Sequence, residues 1–196
     1  ADNITVNGDI TLTNGELDFN GNKNLNLIGD MTKTLGALVN NGSNNGYLIL
    51  KATSSQNASH SICGFTADNV SVKKMNSSSA EITGDITANY LWLQASNSGT
   101  FTIDNNYTFE VDGYIKVASG TLNVVSGSLT TTQNSSVSHE LTGGILDIDG
   151  GIVSFGTPSN NTADLNIDGG TLDISGGTLN VSDCIDIVSL TFTQSG

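Results

Sequence analysis

The sequence predicts an all-β chain: a single-stranded parallel β-helix, or solenoid, with about three short strands per coil and about nine coils in 196 residues. Three observations predict it. First, four-residue blocks of one kind recur along the first two thirds of the chain. They are Asn3-Ile4-Thr5-Val6, Asn24-Leu25-Asn26-Leu27, Tyr47-Leu48-Ile49-Leu50, Asn69-Val70-Ser71-Val72, Tyr90-Leu91-Trp92-Leu93 and Tyr114-Ile115-Lys116-Val117, at steps of 21, 23, 22, 21 and 24 residues. A period of this length marks a repeat architecture in which each coil contacts only its neighbours. Second, apolar residues alternate within and between the blocks, as in a strand with one buried face. Third, Gly and Asn punctuate the alternation at short intervals, and both tolerate the positive φ of tight corners.

In chain order, the first coil reads as Ile4/Val6, Ile10/Leu12 and Leu17/Phe19, with Asn7-Gly8 and Asn14-Gly15 at its corners. The sixth reads as Ile115/Val117, Leu122/Val124 and Leu129/Thr131, cornered by Ser119-Gly120 and Ser126-Gly127. A late coil reads as Leu165/Ile167, Leu172/Ile174 and Leu179/Val181, cornered by Gly169-Gly170 and Gly176-Gly177. Each triplet turns two side chains inward per strand, which is the cross-section of a triangular β-helix. An antiparallel sandwich would allow the local spacing but has no need of a recurrence every 22 residues or so. The first apolar residues of the blocks, Ile4, Leu25, Leu48, Val70, Leu91 and Ile115, are expected to form one inward stack. The stretches 31–45 and 52–68 are irregular and are expected to carry loops. Between 130 and 164 two registers compete: the match of Leu146-Asp147-Ile148-Asp149-Gly150-Gly151 to Leu165-Asn166-Ile167-Asp168-Gly169-Gly170 stacks Leu146 on Leu165, whereas even spacing puts Val137 there.

Composition narrows the functions. Hydrophobic residues make up 36 % of the chain, which suits a thin core of stacked rows better than a thick globular one. There are 19 acidic residues, six Lys and no Arg, for a net charge of −13. Phosphate neutralisation needs a basic surface, so nucleic acid is not an expected partner, and an anionic membrane surface is excluded on the same ground. No apolar run approaches the roughly 18 residues of a membrane span. Cys63 and Cys184 fall about five coils apart, roughly 24 Å at one strand spacing per coil, too far for a disulfide. They are expected to be free, small buried residues at corners.

The run Asp168-Gly169-Gly170-Thr171-Leu172-Asp173-Ile174-Ser175-Gly176-Gly177-Thr178-Leu179-Asn180-Val181 resembles the Gly-Gly-Thr-Leu units of large bacterial surface β-helices, found in autotransporter passenger domains and giant secreted adhesins. Ser119-Gly120-Thr121-Leu122-Asn123-Val124 and Gly143-Gly144-Ile145-Leu146-Asp147-Ile148 are similar. The resemblance covers 115–196 well and the first half only through its period. It implies export, a place at the cell surface, and a structural or adhesive role toward a glycan or protein receptor. Residues 1–196 then read as one solenoid segment of a larger protein, with further coils or domains expected at both ends, where bare strand edges would otherwise invite pairing.

The residues bear on four chemistries. Gly-Gly-x-x-Asp invites calcium, but calcium β-rolls repeat over nine residues with Asp at the sixth position. Here that position holds Ile174 or Val181, which leaves Asp149 and Asp168, stacked at a shared corner, as weak calcium candidates; no other cofactor is expected. A polysaccharide-degrading enzyme would need paired carboxylates. Asp104/Glu110/Asp112 and Asp183/Asp186 supply acids, yet neither His60 nor His139 has a partner at readable spacing, so an enzyme is not expected. Outward aromatics are the more specific feature. Tyr47, Tyr90 and Tyr114 each precede an inward apolar residue, with Asn69 in the coil between the first two, and Trp92 also points out. Such rings on a flat face can stack on the apolar faces of sugars, which makes these four the candidate carbohydrate-binding residues. The Thr-x-Thr pairs at 11/13, 130/132 and 191/193 do not recur at one register, which argues against an ice-binding ladder.

Overall fold

Short strands between Gly- and Asn-bearing corners stack into a parallel β-solenoid in the computed structural model, which describes residues 3–53, 55–67, 69–95, 99–132, 137–157 and 163–194, with the backbone alone for Val137. The first coil is β1 (Ile4–Val6), β2 (Ile10–Leu12) and β3 (Glu16–Asp18); the second is β4 (Asn24–Leu27), β5 (Met31–Lys33) and β6 (Ala37–Val39). The third is β7 (Gly46–Leu50), β8 (Ser59–Ile62) and β9 (Phe65–Ala67), and the fourth β10 (Val70–Met75), β11 (Ser79–Ile82) and β12 (Ile86–Ala88). The fifth is β13 (Leu91–Gln94), β14 (Thr100–Ile103) and β15 (Thr108–Val111), and the sixth β16 (Ile115–Ser119), β17 (Thr121–Val124) and β18 (Ser128–Thr131). The seventh is β19 (Val137–Leu141), β20 (Ile145–Ile148) and β21 (Ile152–Phe155). In the eighth, β22 (Ala163–Ile174) runs round a corner before β23 (Thr178–Val181), and β24 (Ile185–Thr193) begins a ninth.

The strands form three faces with parallel pairing throughout. Face one is β1-β4-β7-β10-β13-β16-β19-β22-β24; face two descends from β22 through β20, β17, β14, β11, β8 and β5 to β2; face three is β3-β6 and β9-β12-β15-β18-β21-β23. The expected inward stack is present with one correction. Ile4, Leu25 and Leu48 pair in turn, but Leu48 then pairs with Val72, which pairs with Leu91, which pairs with Ile115. Val70 pairs with Gly46 instead. β10 turns Val70, Val72 and the buried Lys74 to the same side, so a shift of two residues keeps the same face inward, and the block pattern cannot distinguish the two registers. In the seventh coil His139 occupies the row, paired with Leu165, while Leu146 pairs with Leu172. Stacking Leu146 on Leu165 is therefore wrong. Even spacing chose the right strand but placed Val137 two residues off, since it pairs with Ala163. The expected loop in the third coil is the span between β7 and β8, whereas 31–45 is regular enough to carry β5 and β6.

Inside, apolar rows run the length of the molecule, with Phe101 and Phe109 meeting edge to face at 5.7 Å in the middle. The rows are bare at the ends. Ile4 is 57 % exposed and Phe192 54 %, because no described coil covers them. The Gly-Gly corners have a specific cause. A Cβ on Gly144 would lie 2.8 Å from the Gly120 carbonyl oxygen, and one on Gly170, whose φ is +97°, would lie 2.6 Å from that of Gly144. A second column repeats this: a Cβ on Gly151 would meet the Gly127 oxygen at 2.5 Å, and one on Gly177 the Gly151 oxygen at 2.4 Å. Corner backbones thus pass directly over one another, and only glycine fits.

Candidate functional site

On a strand, alternate side chains leave the core, so face one presents two outward rows. In the first, Tyr47 pairs with Ser71. Tyr90 and Tyr114 follow, each one residue before the paired Leu91 and Ile115. Their rings lie 4.6 Å apart at centroids and are tilted by 40°. Ser138 and Asp164 pair further along, followed by Cys184. In the second row Asn26, Ile49, Lys73, Trp92 and Lys116 pair in turn, and Glu140, Asn166 and Asp186 complete it. The four predicted aromatics therefore share one face over the third to sixth coils, each half-buried. The spacer between Tyr47 and Tyr90 is Ser71, not Asn69, a consequence of the two-residue register correction.

The site's electrostatics come from the second row. The Lys73 ammonium sits 3.7 Å from the centre of the Trp92 ring, within cation–π range. Burial lowers its pKa. Lys116 pairs with Glu140. Burial raises the Tyr114 phenol pKa, with a further push from Tyr47. Two polar atoms under this surface have no hydrogen-bond partner among the described residues: Ser71 Oγ, in a residue with no exposed surface, and Trp92 Nε1. Along the axis the face changes sign. No Lys follows Lys116, whereas Glu140, Asp164 and Asp186 stand on the same face beyond it.

Sequence reasoning missed two features. Lys73-Lys74 was readable only as a basic pair, but neighbours on a strand point opposite ways. Lys73 lies on the outer face, while Lys74 is fully buried, donating to the Met75 carbonyl at 2.5 Å and the Ser78 hydroxyl at 3.0 Å. Strand alternation alone could have separated them. The second is Asp164, Cys184 and Asp186, whose ligand atoms lie within 4.8 Å of one another. They meet because Leu165 stacks on Ile185, as successive coil starts. The Cys184 thiol donates to Asp164 at 3.2 Å, and that bond together with the nearby acids raises its pKa to about 11, so the thiol is protonated at neutral pH. Both cysteines are free, Cys63 buried as expected and Cys184 exposed, contrary to expectation.

No family model, curated protein or solved structure matches this chain.

The remaining candidates are dispersed. Asp149 and Asp168 do not share a corner: Asp149 accepts the Ser175 hydroxyl at 3.0 Å, and Asp168 pairs with Ser189. The register that stacked them is the one the structure replaces. Asp104 accepts from Ser126 and Asn105, which lower its pKa, and Asp112 accepts from Thr132. The Ser126 and Thr132 bonds tie corners of successive coils together. His60 and His139 both lie in the interior. Burial lowers the pKa of each, that of His139 to about 4.

Proposed function

We propose that this chain is a structural and adhesive module of an extracellular bacterial surface protein, a rigid rod that presents face one to its surroundings. The observation that carries this reading is the parallel stack: eight coils joined by continuous main-chain pairing along face one over one apolar core. Such a rod holds a surface at a fixed distance and orientation. The Gly-Gly-Thr-Leu resemblance supports the location. Retention under flow tests the adhesive part, with beads carrying the chain passed over immobilised glycans and matrix proteins. Retention above that of uncoated beads is expected. Equal wash-off from every surface would leave only a spacer.

A second reading is favoured by the aromatic row, in which Tyr90 and Tyr114 lie 4.6 Å apart beside Trp92. On this reading face one is a carbohydrate-binding surface. Trp92→Ala should weaken glycan binding by about 1–3 kcal/mol, the range for stacking on aromatic platforms, with the melting temperature changed little. A glycan array without hits would remove it.

A further inference from the structure

We propose that face one at β10, where Lys73 stands beside the row of Tyr47 and Tyr90, takes a carboxylated sugar of an acidic polysaccharide, the glycan against the tyrosine rings and its carboxylate on the Lys73 ammonium. The proposal rests on the carbohydrate-binding reading and adds the ligand's charge and its contact point.

The chain carries 19 acids against six Lys, so any exposed lysine has carboxylates to choose from. Among the described residues Lys73 nevertheless pairs with none, and its only contact of note is the Trp92 ring. Lys116, the next cation along the row, is already matched by Glu140. A cation held on an indole face keeps most of its hydrogen-bonding capacity, because the ring offers a quadrupole and no lone pair. Lys73 is therefore an ammonium fixed in place with its donors unspent.

Ser71 and Lys73 are two residues apart on β10 and leave the core on the same side. In its row Ser71 stands between Tyr47 and Tyr90, which puts a small hydroxyl between two rings. That hydroxyl is fully buried and unpaired, and a buried polar atom without a partner costs free energy. Successive coils are about 4.8 Å apart, close to the length of one pyranose in an extended chain. Neighbouring sugars would then meet neighbouring coils: a ring at Tyr47, a carboxylate-bearing unit at Ser71 and Lys73, and a ring at Tyr90.

Charge decides between ligand classes. A neutral glycan would leave Lys73 unused. Nucleic acid would need many cations, and this face offers one that is unpaired. Beyond Lys116 the charged groups of the outer rows are all acids, Glu140, Asp164 and Asp186, so an anionic chain is confined to the third to sixth coils.

The test is calorimetric titration of the full chain with polygalacturonate, alginate and hyaluronan, each beside its carboxyl-reduced form. At least one acidic polymer is expected to bind at least tenfold more tightly than its reduced form. Lys73→Met, which keeps the stem, should abolish that preference, while Lys73→Arg and Lys51→Met should retain it, all with melting temperatures near the parent's. Equal binding of acidic and reduced polymers overturns the proposal while leaving the carbohydrate reading intact. An acidic preference that survives Lys73→Met, or that Lys51→Met abolishes equally, also overturns it, since the anion is then held by the general field. Binding of no polymer in either form removes the carbohydrate reading and the proposal together.

Discussion

His139 stands in the inward row that runs through Leu48, Val72, Leu91, Ile115 and Leu165, where every other residue is aliphatic. The Ile115 N–H donates to its Nδ1 at 3.1 Å, and its ring stacks on Phe155 at 4.7 Å. An acceptor nitrogen cannot carry a proton, so this geometry requires neutral imidazole. Burial lowers the pKa from 6.5 to about 4, partly countered by Asp164. The unfolded chain therefore binds the proton more readily. The stabilisation is fully present above about pH 6.5 and is lost as pH falls through about 4, amounting to about 3 kcal/mol at 1.4 kcal/mol per unit. Denaturant midpoints from pH 7 to 3.5 should show this fall, and His139→Gln should flatten it; parallel curves for the two proteins would refute the assignment. Lys74 behaves in the opposite setting. Burial lowers its pKa to about 8, so the native state gains stability as pH rises from about 8 to 10.5. Lys74→Met should stabilise the fold by about 1–3 kcal/mol at pH 7, a gain that shrinks above pH 8. A destabilised variant at pH 7 would mean that the Met75 and Ser78 bonds outweigh the buried charge.

At the level of strands and corners, the glycine columns make a separate claim. Gly144 has an ordinary φ, so Gly144→Ala tests close approach alone: its Cβ would meet the Val117 side chain at 2.6 Å and the Gly120 oxygen at 2.8 Å. A loss of about 1–3 kcal/mol is expected, read as a lower thermal midpoint, whereas Gly8→Ala, with nothing within 4 Å, should be nearly neutral. Equal effects would remove steric contact as the reason for the motif. These corners also show what a sequence can reveal. Glycine spacing and alternating apolar pairs are local, and they were enough to place strands, faces and the row of Tyr47, Tyr90 and Tyr114. Register is not local. In β10 a slide of two residues preserves every local rule, so the block pattern favours Val70 over Val72 and Asn69 over Ser71. The 19-residue match at Asp149 and Asp168 misled for the same reason, because similar corners recur within a coil as well as between coils. Lys73 against Trp92, and Asp164 beside Cys184 and Asp186, depend on register alone, and no single-strand pattern announces them.

For the whole molecule, stability is a sum over coil–coil interfaces, so its weakest joints matter more than its average. The seventh coil places His139 in the core, where the Ile115 N–H bond requires it to be neutral. Acid should therefore loosen the molecule first near that coil, visible as early amide exchange in β19 and β20 at pH 4. Exchange that rises uniformly along the chain would contradict this. The pairing that builds the rod has one more consequence, which concerns time. Most residues meet their partners 20 to 26 positions away, as with Leu165 and Ile185 or Val137 and Ala163. In a chain of 196 residues that gives a relative contact order of about 0.1, the range of helical bundles and well below that of β-sandwiches. Each coil needs only the one beside it as a template. An all-β protein of this size can thus acquire its structure one rung at a time as it emerges from a narrow exit, without waiting for its far end.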